Sequence, residues 1–131
     1  MAPVNFGFIL PSVPLDKALR STYMTDQNKA LEMVSGHFES ARKIDHLMTH
    51  EGDIESFTTL AYFAALHPQL KFGHTVICQS FRNPALVAIM GAAFQFLSGG
   101  RFLFGIGTGW LEKEYKAFGY DFPPASVRVK Q

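Results

Sequence analysis

Four short apolar runs alternate with four segments of helical spacing along this chain, and this alternation restricts the fold more than any other feature. The apolar runs predict strands at residues 4–10, 38–47, 70–78 and 101–106. The segments that follow them predict helices at residues 27–34, 54–66, 85–97 and 111–118. A repeated strand-helix order is typical of α/β proteins with parallel strands. The sequence therefore predicts an α/β fold built from βα units.

Some details of this assignment depend on single residues. The Thr-Asp pair at 25–26 offers an N-cap, so the first helix is predicted to begin at Gln27. Asp53 is predicted to cap the second helix. The third helix has a predicted buried face that consists of Leu86, Ile89, Met90, Ala93 and Phe94. Arg42 and Lys43 are unexpected in the second strand, because strands of parallel sheets are usually apolar.

The composition indicates one globular domain with a core, since 47% of the 131 residues are hydrophobic and 18% are charged. The formal net charge of +1, with acids and bases interspersed, argues against the basic surface of a nucleic-acid-binding protein. Cys78 is the only cysteine, so no internal disulfide can form and a cytoplasmic protein is expected. Prolines interrupt the apolar N-terminus and no apolar run reaches membrane-spanning length, so neither a signal peptide nor a membrane span is predicted.

Three glycines alternate in the stretch FGIGTGW, residues 104–110. A dinucleotide-binding fingerprint has the spacing G-x-G-x-x-G and a Walker loop requires Gly-Lys-Ser/Thr, so the stretch matches neither. Alternate residues of a strand share one face, so Gly105, Gly107 and Gly109 would leave that face without side chains. Either a ligand lies against this bare backbone or the protein packs tightly there, and the spacing leaves both readings open.

Two further stretches place reactive side chains at predicted strand ends. Asp45 and His46 end the second strand, where α/β folds carry catalytic groups, but a capping Asp45 and a surface His46 explain them equally well. His46 and His50 have a spacing suited to metal ligation on a helix, but no third ligand is evident and no metal site is predicted. Cys78 is interpreted as a small buried residue. Arg82 either binds a phosphate or carboxylate or caps a loop.

Together these stretches resemble the N-terminal half of the luciferase-like monooxygenase family, the flavin- and deazaflavin-dependent (β/α)8 barrel oxidoreductases. The matching segments are VNFGFILPS, GHFESARKIDHLM, ESFTTLAYFAAL, KFGHTVICQSFRNPALVA and FLSGGRFLFGIGTGWLEKEYKAFGYDF. The resemblance implies a partial (β/α)8 TIM-type barrel and one truncated luciferase-like domain over residues 1–131. It also implies FMN or a deazaflavin coenzyme as the cofactor and a small organic molecule as the substrate.

The resemblance also implies roles for particular residues. His46 matches the proton-transferring residue of the sugar-phosphate dehydrogenases of the family and is the predicted catalytic residue. The predicted cofactor contacts are Asp45, Thr75, Val76, Cys78, Thr108 and Gly109. The Thr75–Val76 bond matches a cis peptide that supports the cofactor ring in relatives. Trp110 stands where those dehydrogenases have a catalytic glutamate, so the sequence resembles the monooxygenase and reductase branches instead.

The length of the chain limits this interpretation. A complete barrel has about 250 residues, and 131 residues amount to roughly half of one. A half-barrel has open edges at its first and fourth strands, and such edges pair with other chains, so a homo-oligomer is predicted. The leading hypothesis is the N-terminal portion of a flavin-dependent oxidoreductase or monooxygenase. The alternative is a non-catalytic half-barrel that self-associates or complements a partner chain.

Overall fold

A computed structural model describes residues 4–48 and 53–131. The strands are β1 (Gly7–Ile9), β2 (Ser40–Lys43), β3 (Lys71–His74), β4 (Ile77–Cys78), β5 (Phe102–Leu103) and β6 (Ile106–Gly107). The helices are α1 (Lys17–Val34), α2 (Ser56–Leu66), α3 (Pro84–Leu97), α4 (Glu112–Ala117) and α5 (Ala125–Arg128), with a 3-10 turn at Gln79–Phe81. Among these described residues, no helix has both the length and the apolar character that a membrane span requires.

All paired strands are parallel, and their order in space follows their order in the chain. β1, β2, β3 and β5 form one sheet in that order, and β4 pairs with β6 in a second sheet. The third and fourth predicted strands are thus each divided in two. The third divides at a cis peptide bond between Thr75 and Val76, and the fourth divides at residues 104–105. The predicted α/β fold with parallel pairing is confirmed.

Helix α1 begins at Lys17, whereas the sequence predicted a start at Gln27. Asp16 caps the helix, because its Oδ1 accepts hydrogen bonds from the N–H groups of Ala18 (2.8 Å) and Leu19 (3.1 Å). The first half of the helix is mostly exposed, so it lacks the apolar periodicity on which the prediction depended. A local capping interaction, rather than burial, fixes this helix start.

Helix α2 is capped by Glu55, and the prediction that Asp53 caps it is wrong. The Glu55 carboxylate accepts hydrogen bonds from the N–H groups of Phe57 (3.1 Å) and Thr58 (2.7 Å). Asp53 instead pairs with Lys43, whose Nζ lies 2.5 Å from Asp53 Oδ1. The pair explains how β2 accommodates a buried lysine, since the charge has a buried partner.

The core lies where the sheet packs against its helices. Large side chains with almost no exposure include Leu31, Leu60, Phe63, Phe72 and Ile77. They come from α1, α2, β3 and β4, and Ala41 of β2 and Phe94 of α3 belong to the same cluster. Its packing fixes the strand ends on which the candidate site is built.

The face of helix α3 that lies inward is rotated from the predicted one: of the predicted residues, Phe94 is buried and Met90 packs against the core. Its buried residues are Val87, Gly91 and Phe94. The predicted core residues Leu86, Ile89 and Ala93 are exposed. Phe94 stacks on Phe102 of β5 with ring centroids 4.5 Å apart, and the same Phe102 ring lies against Gly91. This aromatic contact with another element, which helical spacing alone does not reveal, sets the rotation of the helix.

Both edges of the parallel strands are open in the described part of the chain. At one edge, Ile9 of β1 is 52% exposed, and at the other edge Ile106 of β6 is 50% exposed. An open groove of about 830 Å³ lies beside β5 and β6, against α3. The predicted open edges at the first and fourth strands are therefore present.

Candidate functional site

The carboxyl ends of β2, β3 and β6 surround a cavity of about 460 Å³. Every site residue predicted from the sequence lines it: Asp45, His46, Thr75, Val76, Cys78, Thr108 and Gly109. Trp110 also lines the cavity, together with Ile44, Phe81 and Glu114, which the sequence reasoning missed. Parallel strands place their carboxyl ends at the same edge, which explains why residues distant in sequence meet here. This cavity is the candidate functional site.

Asp45 ties the end of β2 to α2 and to β4. Its carboxylate accepts hydrogen bonds from Ser56 Oγ (2.7 Å) and from the Cys78 N–H (3.0 Å). Arg82 donates two more, from Nη1 to Oδ2 (2.5 Å) and from Nη2 to Oδ1 (2.8 Å). Burial alone would raise the pKa of Asp45, but the hydrogen bonds from Arg82 and Ser56 outweigh burial and hold the pKa below its usual value. Both carboxylate oxygens are therefore engaged by protein donors.

Arg82 binds carboxylates, which is one of the roles predicted for it. Besides Asp45, it contacts Glu55, with Nη2 2.9 Å from Glu55 Oε1. Its guanidinium carbon lies 5.7 Å from the centre of the Phe57 ring. The hydrogen bond to Asp45 raises the pKa of Arg82, so the side chain keeps its charge. The start of α2 and the end of β2 are thus joined through one arginine.

His46 is held by Glu114 of α4. Its Nδ1 lies 3.0 Å from Glu114 Oε2, and the Glu114 side chain is only 2% exposed. The other carboxylate oxygen, Oε1, accepts the N–H groups of Leu47 and Met48. The Trp110 ring stands edge-on to His46, with centroids 5.9 Å apart and planes at 90°. His46 therefore has a fixed orientation in the cavity wall rather than a free surface position.

Sequence reasoning missed Glu114 because an acid within the run EKEY has the composition of an exposed helical face. The sequence carried no signal that would have placed Glu114 beside His46, since the two residues are 68 positions apart. Ile44 and Phe81 are apolar and gave no signal beyond their position next to predicted strand ends.

Cys78 belongs to a buried chain of hydrogen bonds. The Tyr115 hydroxyl donates to the Thr108 carbonyl (2.7 Å) and lies 3.0 Å from Cys78 Sγ, so the thiol donates to the hydroxyl oxygen. Burial and the hydrogen bond with Cys78 raise the pKa of Tyr115 to about 12. Arg128 Nε donates to the same Thr108 carbonyl (3.2 Å). Gly109, at a φ of +67°, leaves the space that the Tyr115 hydroxyl and the thiol occupy. These contacts fix the Thr108 loop in place.

The bare backbone strip of the fourth strand is filled by the protein itself. A β-carbon on Gly105 would overlap the carbonyl oxygen of His74, and one on Gly107 would overlap the Val76 side chain. Of the two readings that the spacing left open, tight packing is therefore the one observed at these two positions. The cis peptide bond between Thr75 and Val76, expected from the family resemblance, is confirmed.

Within residues 4–48 and 53–131, no group of three or more histidine, cysteine, aspartate or glutamate side chains is placed to hold a metal ion. His50, which was considered as a second ligand beside His46, lies outside the described residues.

Comparison with known proteins places the chain in a family. The model of luciferase-like monooxygenases matches residues 20–129. Pyrimidine monooxygenase RutA of Yersinia enterocolitica is 30% identical over 113 residues, which are 84% of this chain and 29% of RutA. The coenzyme F420-dependent tetrahydromethanopterin reductase of Methanopyrus kandleri is 27% identical, with a TM-score of 0.69 over 93% of this chain and 32% of the reductase.

A second structural neighbour is the oxygenating constituent of 3,6-diketocamphane monooxygenase from Pseudomonas putida, in complex with FMN. It has a TM-score of 0.80 at 19% identity, over 98% of this chain and 38% of that chain, and this likeness shows the fold alone. The chain spans roughly a third of the length of these relatives. Because the family model covers most of its residues, the chain belongs to the luciferase-like monooxygenase family, as a fragment of the family's barrel.

Proposed function

We propose that the cavity binds the ring system of FMN or a deazaflavin coenzyme. In this proposal the chain is the portion of a flavin-dependent oxidoreductase or monooxygenase that supports the ring and moves a proton beside it. One observation carries the proposal. Residues from three separate strand ends, which the family resemblance alone had singled out, line the same cavity.

The lining of the cavity suits an uncharged ring. Its volume of about 460 Å³ lies within the range of about 300–1,000 Å³ usual for ligand sites. Among the described residues no lysine or arginine lines it, and the carboxylates of Asp45 and Glu114 already accept hydrogen bonds from protein groups. A cofactor phosphate placed here would be without a cationic partner. The phosphate is therefore proposed to bind outside this cavity.

Four residues are proposed to touch the cofactor or the reacting atoms. His46 moves a proton, since its ring is held at the cavity wall. Val76 is 45% exposed and offers its side chain to the ring face, while Thr108 and Gly109 approach the ring from the fourth strand. When bound, the cofactor supplies the redox chemistry, as hydride transfer or oxygen activation.

Three further predicted residues are proposed to position the strand ends around the cofactor. Thr75 carries the carbonyl of the cis bond and sets the position of the chain behind the ring. Asp45 holds the strand ends together through Arg82, and Cys78 steadies the fourth strand through its bond to Tyr115.

The side chain of Trp110 favours an uncharged organic substrate. Its side chain is 71% exposed at the cavity beside His46, where an aromatic surface suits a small organic molecule. It replaces the glutamate of the sugar-phosphate dehydrogenases, so a sugar phosphate is not proposed. RutA is named for its action on pyrimidines. For this chain the proposal extends only to a small organic substrate.

Fluorescence titration of the 131-residue protein with FMN, and separately with a deazaflavin coenzyme, tests the proposal. Saturable quenching of cofactor emission is expected with at least one of them. Val76→Glu puts a charge into the cavity and should abolish the quenching. Ile89→Glu adds the same charge to the exposed face of α3 and should bind like the unaltered protein. The proposal fails if neither cofactor binds although circular dichroism shows intact helices.

The open sheet edges favour the second candidate, a half-barrel that associates with other chains. β1 and β6 each pair on one side in the described structure, and exposed strand edges readily pair with further strands. The groove beside β5 and β6 leaves part of α3 uncovered as well. We propose homo-oligomers formed through these edges. Light scattering should give a dimer or larger species, and a monodisperse monomer would contradict this.

A further inference from the structure

The Glu114 carboxylate divides its hydrogen bonds between two groups. Oε1 accepts the main-chain N–H groups of Leu47 and Met48, and Oε2 faces His46 Nδ1 at 3.0 Å. Two main-chain donors on one oxygen stabilise the carboxylate as an anion, even though the side chain is buried. An ionised carboxylate only accepts hydrogen bonds. The proton between Glu114 and His46 therefore belongs to the histidine nitrogen.

We propose that Glu114 is a positioning residue that holds neutral His46 in the tautomer with its proton on Nδ1. A neutral imidazole carries one proton, so Nε2 is left as an acceptor with a free lone pair. The His46 ring lines the cavity and is 20% exposed, and no described residue donates a hydrogen bond to Nε2. The basic nitrogen of His46 is thus the one available to a reactant.

This assignment gives the direction of the proton transfer and rests, for its use, on the proposed function. His46 begins the reaction as a base. A reactant with an O–H or N–H group gives its proton to Nε2, so that bond breaks, an Nε2–H bond forms, and the oxygen or nitrogen keeps the electron pair. The ring becomes a cation beside Glu114, whose negative charge stabilises it. The substrate class narrows to small organic molecules that carry an ionisable O–H or N–H group.

Nitrogen-15 NMR of the full chain, labelled in histidine, reads the tautomer directly at slightly alkaline pH and without any cofactor. The expected spectrum for His46 has a protonated Nδ1 and an unprotonated Nε2, which is the less populated tautomer of free histidine. The Nδ1 proton should also give a downfield resonance that shows a nuclear Overhauser effect to the Glu114 side chain. A wild-type His46 with the proton on Nε2, or without this resonance, overturns the proposal.

Glu114→Gln tests the cause of this tautomer. The glutamine oxygen is needed by the N–H groups of Leu47 and Met48, so its NH₂ group faces His46 Nδ1, which must then accept. The expected result is a switch to the Nε2–H tautomer. Glu112→Gln, on the exposed side of the same helix, is the matched control and should leave the tautomer unchanged. An unchanged tautomer in folded Glu114→Gln overturns the proposal.

The proposed role of Glu114 and the proposed cofactor binding can be contradicted independently of each other. If Glu114→Gln does not fold, the wild-type spectrum and the contact between Nδ1–H and Glu114 still decide the matter. Absence of cofactor binding would contradict the proposed function without changing the tautomer of the unliganded chain. An Nε2–H tautomer in the wild type would overturn the role of Glu114 while cofactor titration remained as expected.

Discussion

The Nζ atom of Lys43 lies 2.5 Å from Asp53 Oδ1, and the two side chains are 0% and 3% exposed. Lys43 belongs to β2, which is flanked by β1 and β3, and its charge is fully buried. Transfer of such a charge from water is costly, and the opposite charge offsets the cost only while both partners are present. The stability of β2 therefore depends on a residue outside every strand.

Asp53→Asn is expected to lower the free energy of unfolding by about 3–5 kcal/mol, because it leaves Lys43 buried without a counter-charge. Urea denaturation measures this. The matched control is Glu39→Gln, which breaks the exposed pair with Lys71 and should cost less than about 1 kcal/mol. An equal loss of unfolding free energy in the two variants would show that the buried pair contributes no more stability than the exposed pair.

Gly107→Ala is expected to destabilise the protein by about 1–3 kcal/mol, because the new methyl group overlaps the Val76 side chain. Since the obstacle is a side chain, Val76→Ala in the same molecule should recover most of the loss. Gly105→Ala meets the carbonyl oxygen of His74 instead, and Val76→Ala should not rescue it. Thermal unfolding of the single and double variants separates the two cases. Equal rescue of both glycine variants would contradict the packing described here.

His74 is expected to make stability depend on pH. Its ring is fully buried near Phe57 and Phe102, without a hydrogen-bond partner for either nitrogen among the described residues. Burial lowers the pKa of His74 from 6.5 to about 4, although the charge of Asp45 opposes this. The unfolded chain therefore takes up the proton first. Neutral His74 makes its full contribution to the free energy of unfolding above pH 6.5. As the pH falls toward 4, this contribution decreases by about 3 kcal/mol.

Urea unfolding at a series of pH values between these limits checks this expectation. His74→Leu should reduce the dependence, because a leucine of similar size cannot be protonated, and His67, whose pKa is also lowered by burial, accounts for part of the remainder. His37 is exposed, so His37→Gln serves as the control and should retain the slope of the unaltered protein. An undiminished slope in His74→Leu would assign the dependence to other groups.

Arg82→Met is expected to cost about 3–5 kcal/mol, since Asp45 would lose its buried counter-charge. Arg82→Lys should give an intermediate loss, because lysine keeps the charge but cannot donate to both carboxylate oxygens in the same way. Arg20 is exposed, and Arg20→Lys is the control for the chemical change itself. The measurement is thermal unfolding, and an Arg82→Lys variant as stable as Arg20→Lys would contradict the two-point contact.

The resemblance to the family singled out the residues that meet in the cavity, and parallel pairing explains why these strand ends lie at one edge. The sequence did not predict what holds them. Asp45 and His46 are adjacent in the chain, yet one binds Arg82 and the other binds Glu114, partners that only the fold brings near. Burial and partner choice are tertiary properties, and they were missed at Glu114 for that reason.

The wrong details of the fold have the same origin. Asp53 has the residue type of a helix cap, but the buried ammonium group of Lys43 is a stronger partner for it. The rotation of α3 depends on Phe102, which belongs to another element. The early start of α1 is the exception, because Asp16 was available as a cap in the sequence. There the prediction relied on apolar spacing where the helix is exposed.

The hydrogen bonds of Glu114 join groups that are 66 to 68 residues apart in the chain. During synthesis on a ribosome, β2 and the His46 segment emerge long before α4 does. Contacts of such long sequence separation require the closure of a long loop, which costs conformational entropy. Until α4 has been made, His46 therefore lacks the carboxylate that fixes its orientation in the cavity wall.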